Sequence, residues 1–225
     1  MKASIVAWYG DKTAAFASWL AALQTRLEAE LGSAFRPYDL AQLHATLVDV
    51  SQEDGSGAMF RELHGRDVAC ELNGFEAWLA EQLRDDVLRV RFGGVIEDSA
   101  WTSRGRPRAD RRFSIQGDKV VLIGWTDTKG RLDAIRRGAE RFGFLHRYHA
   151  SPDAIDDDCY MRLGCLDASF SASQAEIEAI ERDVRSSLDG SSIDMLMTAR
   201  DLRIAYYVDE TLPPSTTRTR QLAGA

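Results

Sequence analysis

Leu43-His44-Ala45-Thr46-Leu47-Val48-Asp49-Val50 is a run of aliphatic and β-branched residues that reads as a short strand. Side chains alternate along a strand, so His44 and Thr46 share one face while Leu43, Ala45 and Leu47 point the other way. An imidazole beside a hydroxyl makes a compact phosphate site. A neutral His takes or gives a proton near neutral pH, and a Thr hydroxyl donates to a non-bridging phosphate oxygen. The competing reading is a packed strand histidine without chemistry, and the surroundings of the motif bear on the choice.

Upstream, Ser4 to Trp8 forms an apolar strand that stops at Gly10-Asp11, and Lys12 to Leu31 follows as a helix. Its Phe16, Trp19, Leu20, Leu23, Leu27 and Leu31 fall at helical spacing, and Gly32 is the natural stop. Phe35-Arg36-Pro37-Tyr38 is a Pro-stiffened extended approach to the His44 strand. Downstream, Ser51 to Gly57 reads as a polar loop, residues 58 to 64 as one or two helical turns, and residues 70 to 84 as an amphipathic helix. Val87 to Ile96 and Lys119 to Trp125 are two strands joined by a polar insert carrying Arg104, Arg106, Arg108, Arg111 and Arg112. The insert has two readings: a solvated loop with arginines paired to Asp110 and Glu97, or a loop that grasps phosphate, which Arg binds bidentately. After the Thr126 to Gly130 turn come a helix over Arg131 to Phe142 and a loop holding Asp153, Asp156, Asp157 and Asp158. Then follow a strand over Cys159 to Leu166 and a helix from about Ser173 to Leu188 that opens on a capping box, Ser173-Gln174-Ala175-Glu176. Ser192 to Thr198 and Leu202 to Val208 read as an antiparallel pair around Ala199-Arg200-Asp201. The Pro-, Ser-, Thr- and Arg-rich residues beyond Leu212 read as a disordered tail, 213–225.

The chain has 225 residues, 44% of them hydrophobic and 28% charged, which suits one compact unit over residues 1–212. A net charge of -7 argues against a non-specific nucleic-acid binder but leaves room for one basic pocket. Cys70, Cys159 and Cys165 are odd in number, sit among apolar residues and lack metal-ligand spacing, as expected of reduced, packed thiols. The N-terminus lacks a signal-like apolar core, and no run reaches the length of a membrane span, so the expected location is the cytoplasm. There is no phosphate-binding Gly-x-x-x-x-Gly-Lys loop, no Gly-x-Ser-x-Gly elbow and no His-Glu-x-x-His helix.

Taken coarsely, the order of elements up to the 87–96 strand is echoed from Val120 onward, which would place the strands of His44 and Met161 on opposite walls of a cleft. The strand and helix leading through Arg36-Pro37 to Leu43-His44-Ala45-Thr46-Leu47 resemble the N-terminal half of the 2H phosphoesterases, the LigT-like or 2'-5' RNA ligase-like superfamily. The segments Val90 to Val95, Val120 to Trp125 and Ile193 to Val208 are similar to that group's later strands, so the likeness covers most of residues 3 to 210. It implies an α+β, bilobal fold: two pseudo-symmetric antiparallel-sheet lobes with outer helices around a central groove. It also implies attack on a phosphodiester, commonly a 2',3'-cyclic phosphate or a 2'-5' linkage, with no metal or other cofactor and with two histidines as base and acid.

The second His-x-Thr/Ser motif of that family falls on Cys159-Tyr160-Met161-Arg162-Leu163-Gly164, where Tyr160 replaces the histidine and Arg162 the hydroxyl residue. Alternation keeps both on one face. Tyr is a poor base at pH 7 but can donate a proton, and Arg162 can hold a phosphate without giving up its own. His149-Ala150-Ser151, preceded by His146, repeats the motif by letters, but Pro152 argues against a central strand there, which leaves two readings, an ordinary surface loop or a loop that supplies the missing histidine; His64 reads as a surface residue. The candidate site is therefore His44, Thr46, Tyr160 and Arg162. The resemblance implies a phosphodiesterase acting on a cyclic phosphate, a 2'-5' linkage or a nucleotide or RNA end. The motif's degeneracy equally suits a binding protein that retains a nucleotide-like or phosphorylated small molecule in the same groove, and an apolar groove for a partner chain is a third reading.

Overall fold

In a computed structural model of the chain the described residues are 2–52, 70–94, 100–144, 146 and 155–223. The expectations placed on 53–64, on His64 and on His149 lie outside them. The strands are β1 (Lys2–Ala7), β2 (Phe35–Pro37), β3 (Ala45–Gln52), β4 (Leu88–Gly93), β5 (Thr102–Ser103), β6 (Arg106–Pro107), β7 (Phe113–Gln116), β8 (Lys119–Thr126), β9 (Cys159–Leu166), β10 (Ser192–Met197), β11 (Leu202–Tyr207) and β12 (Arg218–Gln221). Five α-helices are present among the described residues: α1 (Ala14–Leu31), α2 (Leu72–Asp85), α3 (Arg108–Arg111), α4 (Arg131–Ala139) and α5 (Gln174–Leu188).

The fold is α+β. Among the described residues ten strands form one sheet in the order β10-β4-β8-β9-β3-β1-β11-β12, with β2 added on β9 and β7 on β8. Every pairing in it is antiparallel. The group around β9 and the group around β3 meet at a single residue pair, Ala45 opposite Met161. Gly164 lets β2 lie against β9, because a Cβ there would collide with the Arg36 carbonyl and the Phe35 ring.

One apolar core serves both groups. Helix α1 begins at Thr13, whose side chain caps the Phe16 amide, and ends at Gly32, which takes a φ of 58°. Its Phe16 stacks on Phe92 of β4 at 5.9 Å and meets Trp8, just past β1, edge-on at 5.8 Å. Helix α2 adds Phe75, packed on Trp78, Phe142 and Phe144. The expected capping box on α5 is present, with Ser173 and Glu176 exchanging hydrogen bonds.

Three expectations are corrected. Strands β10 and β11 do not pair with each other: β10 joins β4 at one end of the sheet, and β11 lies between β1 and β12 near the other. A 3-10 turn over Ala199–Asp201, closed by reciprocal bonds between Thr198 and Asp201, redirects the chain, and the Asp201 carbonyl is then gripped by the Trp8 amide at 3.0 Å. The stretch 213–225, expected as a disordered tail, contains β12. Arg220 pairs there with the fully buried Glu76 of α2, the Ala223 amide also donates to Glu76 at 2.7 Å, and Leu222 is buried. A polar, Thr- and Arg-rich composition hides that role because the partner charge lies far away in sequence.

The third correction concerns the arginine insert, which is folded structure rather than a loop and buries Arg108, Arg111 and Arg112 while Arg104 and Arg106 stay exposed. It folds as the β5–β6 hairpin followed by α3 and β7. Arg108 is buried over the Trp101 ring at 3.8 Å, Arg111 pairs with Asp158 at 2.5 Å, and Arg112 is bound by the Gly94 carbonyl and Asp189. Asp110 contributes its carbonyl to Arg185 at 2.7 Å, and Glu97 is outside the described residues. The three cysteines are free thiols, and burial pushes that of Cys159 up to about 12. Among the described residues no helix is long and apolar enough to cross a membrane.

Candidate functional site

The burial pattern of β3 follows the expected alternation: Leu43, Ala45 and Leu47 are buried, His44 and Thr46 only half so. Strand β9 does the same, with Cys159, Met161 and Leu163 inward and Tyr160 and Arg162 half-buried. Since Ala45 and Met161 oppose each other in an antiparallel pair, the register sets His44 opposite Arg162 and Thr46 opposite Tyr160. All four line one cavity of about 210 Å³ on the face away from the core.

His44 precedes the first residue of β3 and follows a 3-10 turn over Leu40–Gln42. Its Nδ1 lies 2.7 Å from the Gln42 carbonyl, an acceptor, so the proton sits on Nδ1 and Nε2 carries the lone pair. Gln42 is itself held, donating from Nε2 to the Thr211 carbonyl at 2.5 Å. Burial lowers the His44 pKa to about 4, aided by the charge of Lys12 and opposed by the Gln42 bond. The imidazole is therefore neutral at pH 7. Burial likewise lowers Lys12 to about 8.

Arg162 is aimed by two neighbours. Its Nη2 donates to Asp118 at 2.8 Å, and its guanidinium lies 5.4 Å from the centre of the Tyr38 ring. The Tyr38 hydroxyl is buried and has no hydrogen-bond partner among the described residues, and burial raises its pKa well above the ordinary value, so it keeps its proton. Lys119 and Arg104 also line the cavity, both exposed. Tyr160 leans on the small cluster of Trp101, Val121, Ile123 and Trp125.

Beneath these lies a buried ionic network. Arg136 of α4, 1% exposed, donates to the carbonyls of Thr46 (3.2 Å), Leu47 (3.0 Å), Asp156 (2.6 Å) and Asp158 (3.0 Å). It thereby fastens β3 to the segment entering β9, where the ladder supplies only one pair. Asp156 is 3.3 Å from Arg136 and 3.5 Å from His146. Burial alone would raise its pKa, but the bond from His146 and the charge of Arg136 outweigh this and hold it well below the usual carboxylate range. Asp158 accepts from Arg111, Ser103 and Trp125.

The four residues expected from sequence thus come together, and the structure adds Tyr38, Arg104, Lys119, Arg136, His146, Asp156 and Asp158 to the same cavity. Sequence reading placed Tyr38 only in an approach strand and the aspartates only in a loop. The available signal was complementarity, an acidic run and an arginine-rich run in one chain. Among the described residues no group of three or more His, Cys, Asp or Glu is placed to hold a metal ion.

No protein-family model matches the sequence, and no curated protein matches it. Among solved structures, the crystal structure of TT0787 of Thermus thermophilus is similar over 99% of this chain and 96% of that one, with 13% identity and a TM-score of 0.49.

Proposed function

We propose that this chain is a metal-independent, 2H-type phosphodiesterase-like protein of the cytoplasm, acting on a cyclic phosphate, a 2'-5' linkage or a nucleotide or RNA end. The observation that carries the reading is the Ala45–Met161 register, which sets the His44–Thr46 and Tyr160–Arg162 pairs around one cavity. In this reading the two groups of strands meeting at that pair are two pseudo-symmetric lobes, and the cavity is the groove between them.

His44 Nε2 takes a proton from the attacking water, whose oxygen bonds to phosphorus. The bond from phosphorus to the leaving ribose oxygen breaks and the Tyr160 hydroxyl supplies that oxygen's proton; His44 then releases its proton to solvent and Tyr160 takes one back, which restores both groups. The products are a phosphomonoester and an alcohol. Thr46 and Arg162 hold the non-bridging oxygens and stabilise the charge that builds on them. The low pKa of His44 keeps the base available at neutral pH but weakens its pull on the proton, so turnover is slow.

A second reading is favoured by Arg162 itself. A guanidinium that cannot give up its proton, already aimed by Asp118, suits retention of a nucleotide better than acid catalysis. The test is incubation of the purified protein with EDTA on 2',3'-cyclic nucleotides, 2'-5'-linked dinucleotides and cyclic dinucleotides, with His44→Ala alongside. Turnover that falls about 10²- to 10⁴-fold in His44→Ala supports the enzyme. Saturable binding without turnover, weakened by Arg162→Ala, supports the binding protein. Failure of both would leave the cavity without a phosphate role.

A further inference from the structure

A second, larger concavity of about 800 Å³ lies beside the first, between the β5–β6 hairpin with α3 on one side and α5 on the other. The two share Arg104, Arg111 and Gln116 as a common wall. The larger one is lined by six arginines (104, 106, 111, 112, 182, 185) against four carboxylates (Asp110, Glu178, Glu181, Asp189), in a chain whose net charge is -7. Four of those arginines are engaged: Arg104 with Asp156 and Asp158, both at 3.7 Å, Arg111 with Asp158, Arg112 with Asp189 and Arg185 with Glu181. Arg106 and Arg182 stand exposed on opposite walls, with half-buried Ile115 and Ile177 also in the lining.

We propose that this cleft binds the chain of an oligonucleotide whose terminal phosphodiester occupies the cavity of His44 and Arg162. The inference rests on the phosphodiester reading of that cavity and extends it to the size of the substrate. A single nucleotide seated at His44 makes no use of Arg106 or Arg182. A strand leaving the cavity past Arg104 and Gln116 brings its next phosphates to those two guanidinium groups, which bind them bidentately. The isoleucines offer apolar surface to sugars and bases, which inorganic polyphosphate lacks. The acidic remainder of the surface repels a polyanion and so confines it to this path.

The experiment uses oligonucleotides of increasing length from one nucleotide upward, ending either in a 2',3'-cyclic phosphate for turnover or in a 3'-phosphate for binding by fluorescence anisotropy. Affinity is expected to rise with length and to fall with salt. In the double variant Arg106→Glu/Arg182→Glu the length dependence disappears, while handling of the mononucleotide is unchanged. The Arg106→Gln/Arg182→Gln variant lowers the slope of log affinity against log salt by about 1.4, the contribution of two single-strand phosphate contacts. Equal affinity for one nucleotide and for longer strands, or wild-type binding by both variants, overturns the proposal. Competition by inorganic polyphosphate as strong as by oligonucleotide overturns the assignment to a nucleic-acid chain. Length-dependent binding without turnover of the cyclic-phosphate end at any length upholds the cleft and overturns only the catalytic reading. Turnover of the mononucleotide without a gain from length does the reverse.

Discussion

His44 is the residue whose chemistry depends most on its surroundings. Its folded pKa of about 4 lies below the ordinary 6.5, so between those values the unfolded chain takes up a proton that the folded chain refuses. Stability is therefore at its full value above about pH 6.5 and is lost as pH falls toward 4, by about 3 kcal/mol for a shift of this size. Urea midpoints measured from pH 7 down to 4 should fall less steeply in His44→Gln than in wild type. Arg104 offers a second test. It occupies the tip of the β5–β6 hairpin at a φ of 47°, followed by Gly105 at 73°, a two-residue turn that favours Asn-Gly. Arg104→Asn should stabilise the fold by about 0.5 to 1 kcal/mol in denaturant titrations, while weakening retention of an anion in the cavity. The His44–Thr46 pairing was legible because a period of two is written into the letters. The tautomer was not, since it is fixed by a carbonyl two residues away that is steadied from Thr211.

Strands and helices could be recognised one by one, but their neighbours could not. The stretches that became β10 and β11 have the length and alternation of a hairpin, and these properties say which side faces the core, not which strand lies alongside. Here the choice is made by distant groups: Asp194 accepts two bonds from Arg91 of β4, at 2.7 and 3.0 Å, while the Ala199–Asp201 turn is drawn to the end of β1. The C-terminal strand teaches the same lesson. Glu76 is fully buried and faces Arg220, so removal of residues 213–225 leaves a carboxylate inside the protein without its cation. The truncated chain should lose about 3 kcal/mol or more in urea denaturation, and Glu76→Gln in the truncated background should restore part of it. Were truncation to cost nothing, β12 would be an ornament of the sheet rather than a part of it.

At the scale of the molecule, the division into two groups of strands does not divide the core. Phe16 of α1 touches Phe92 on one side and Trp8 on the other, and a single apolar cluster runs from β1 to β10. Calorimetry should accordingly show one transition, with matching calorimetric and van't Hoff enthalpies; two resolved transitions would mean that the halves melt apart. The seam where they meet is thin, one rung of ladder reinforced by Arg136. A ligand gripping His44 on one bank and Arg162 on the other acts as an extra crosspiece, so its binding energy is returned as resistance to heat. At a hundredfold excess over its dissociation constant this amounts to about 2.7 kcal/mol. A thermal-shift screen can therefore find the natural ligand of this protein before any reaction is known.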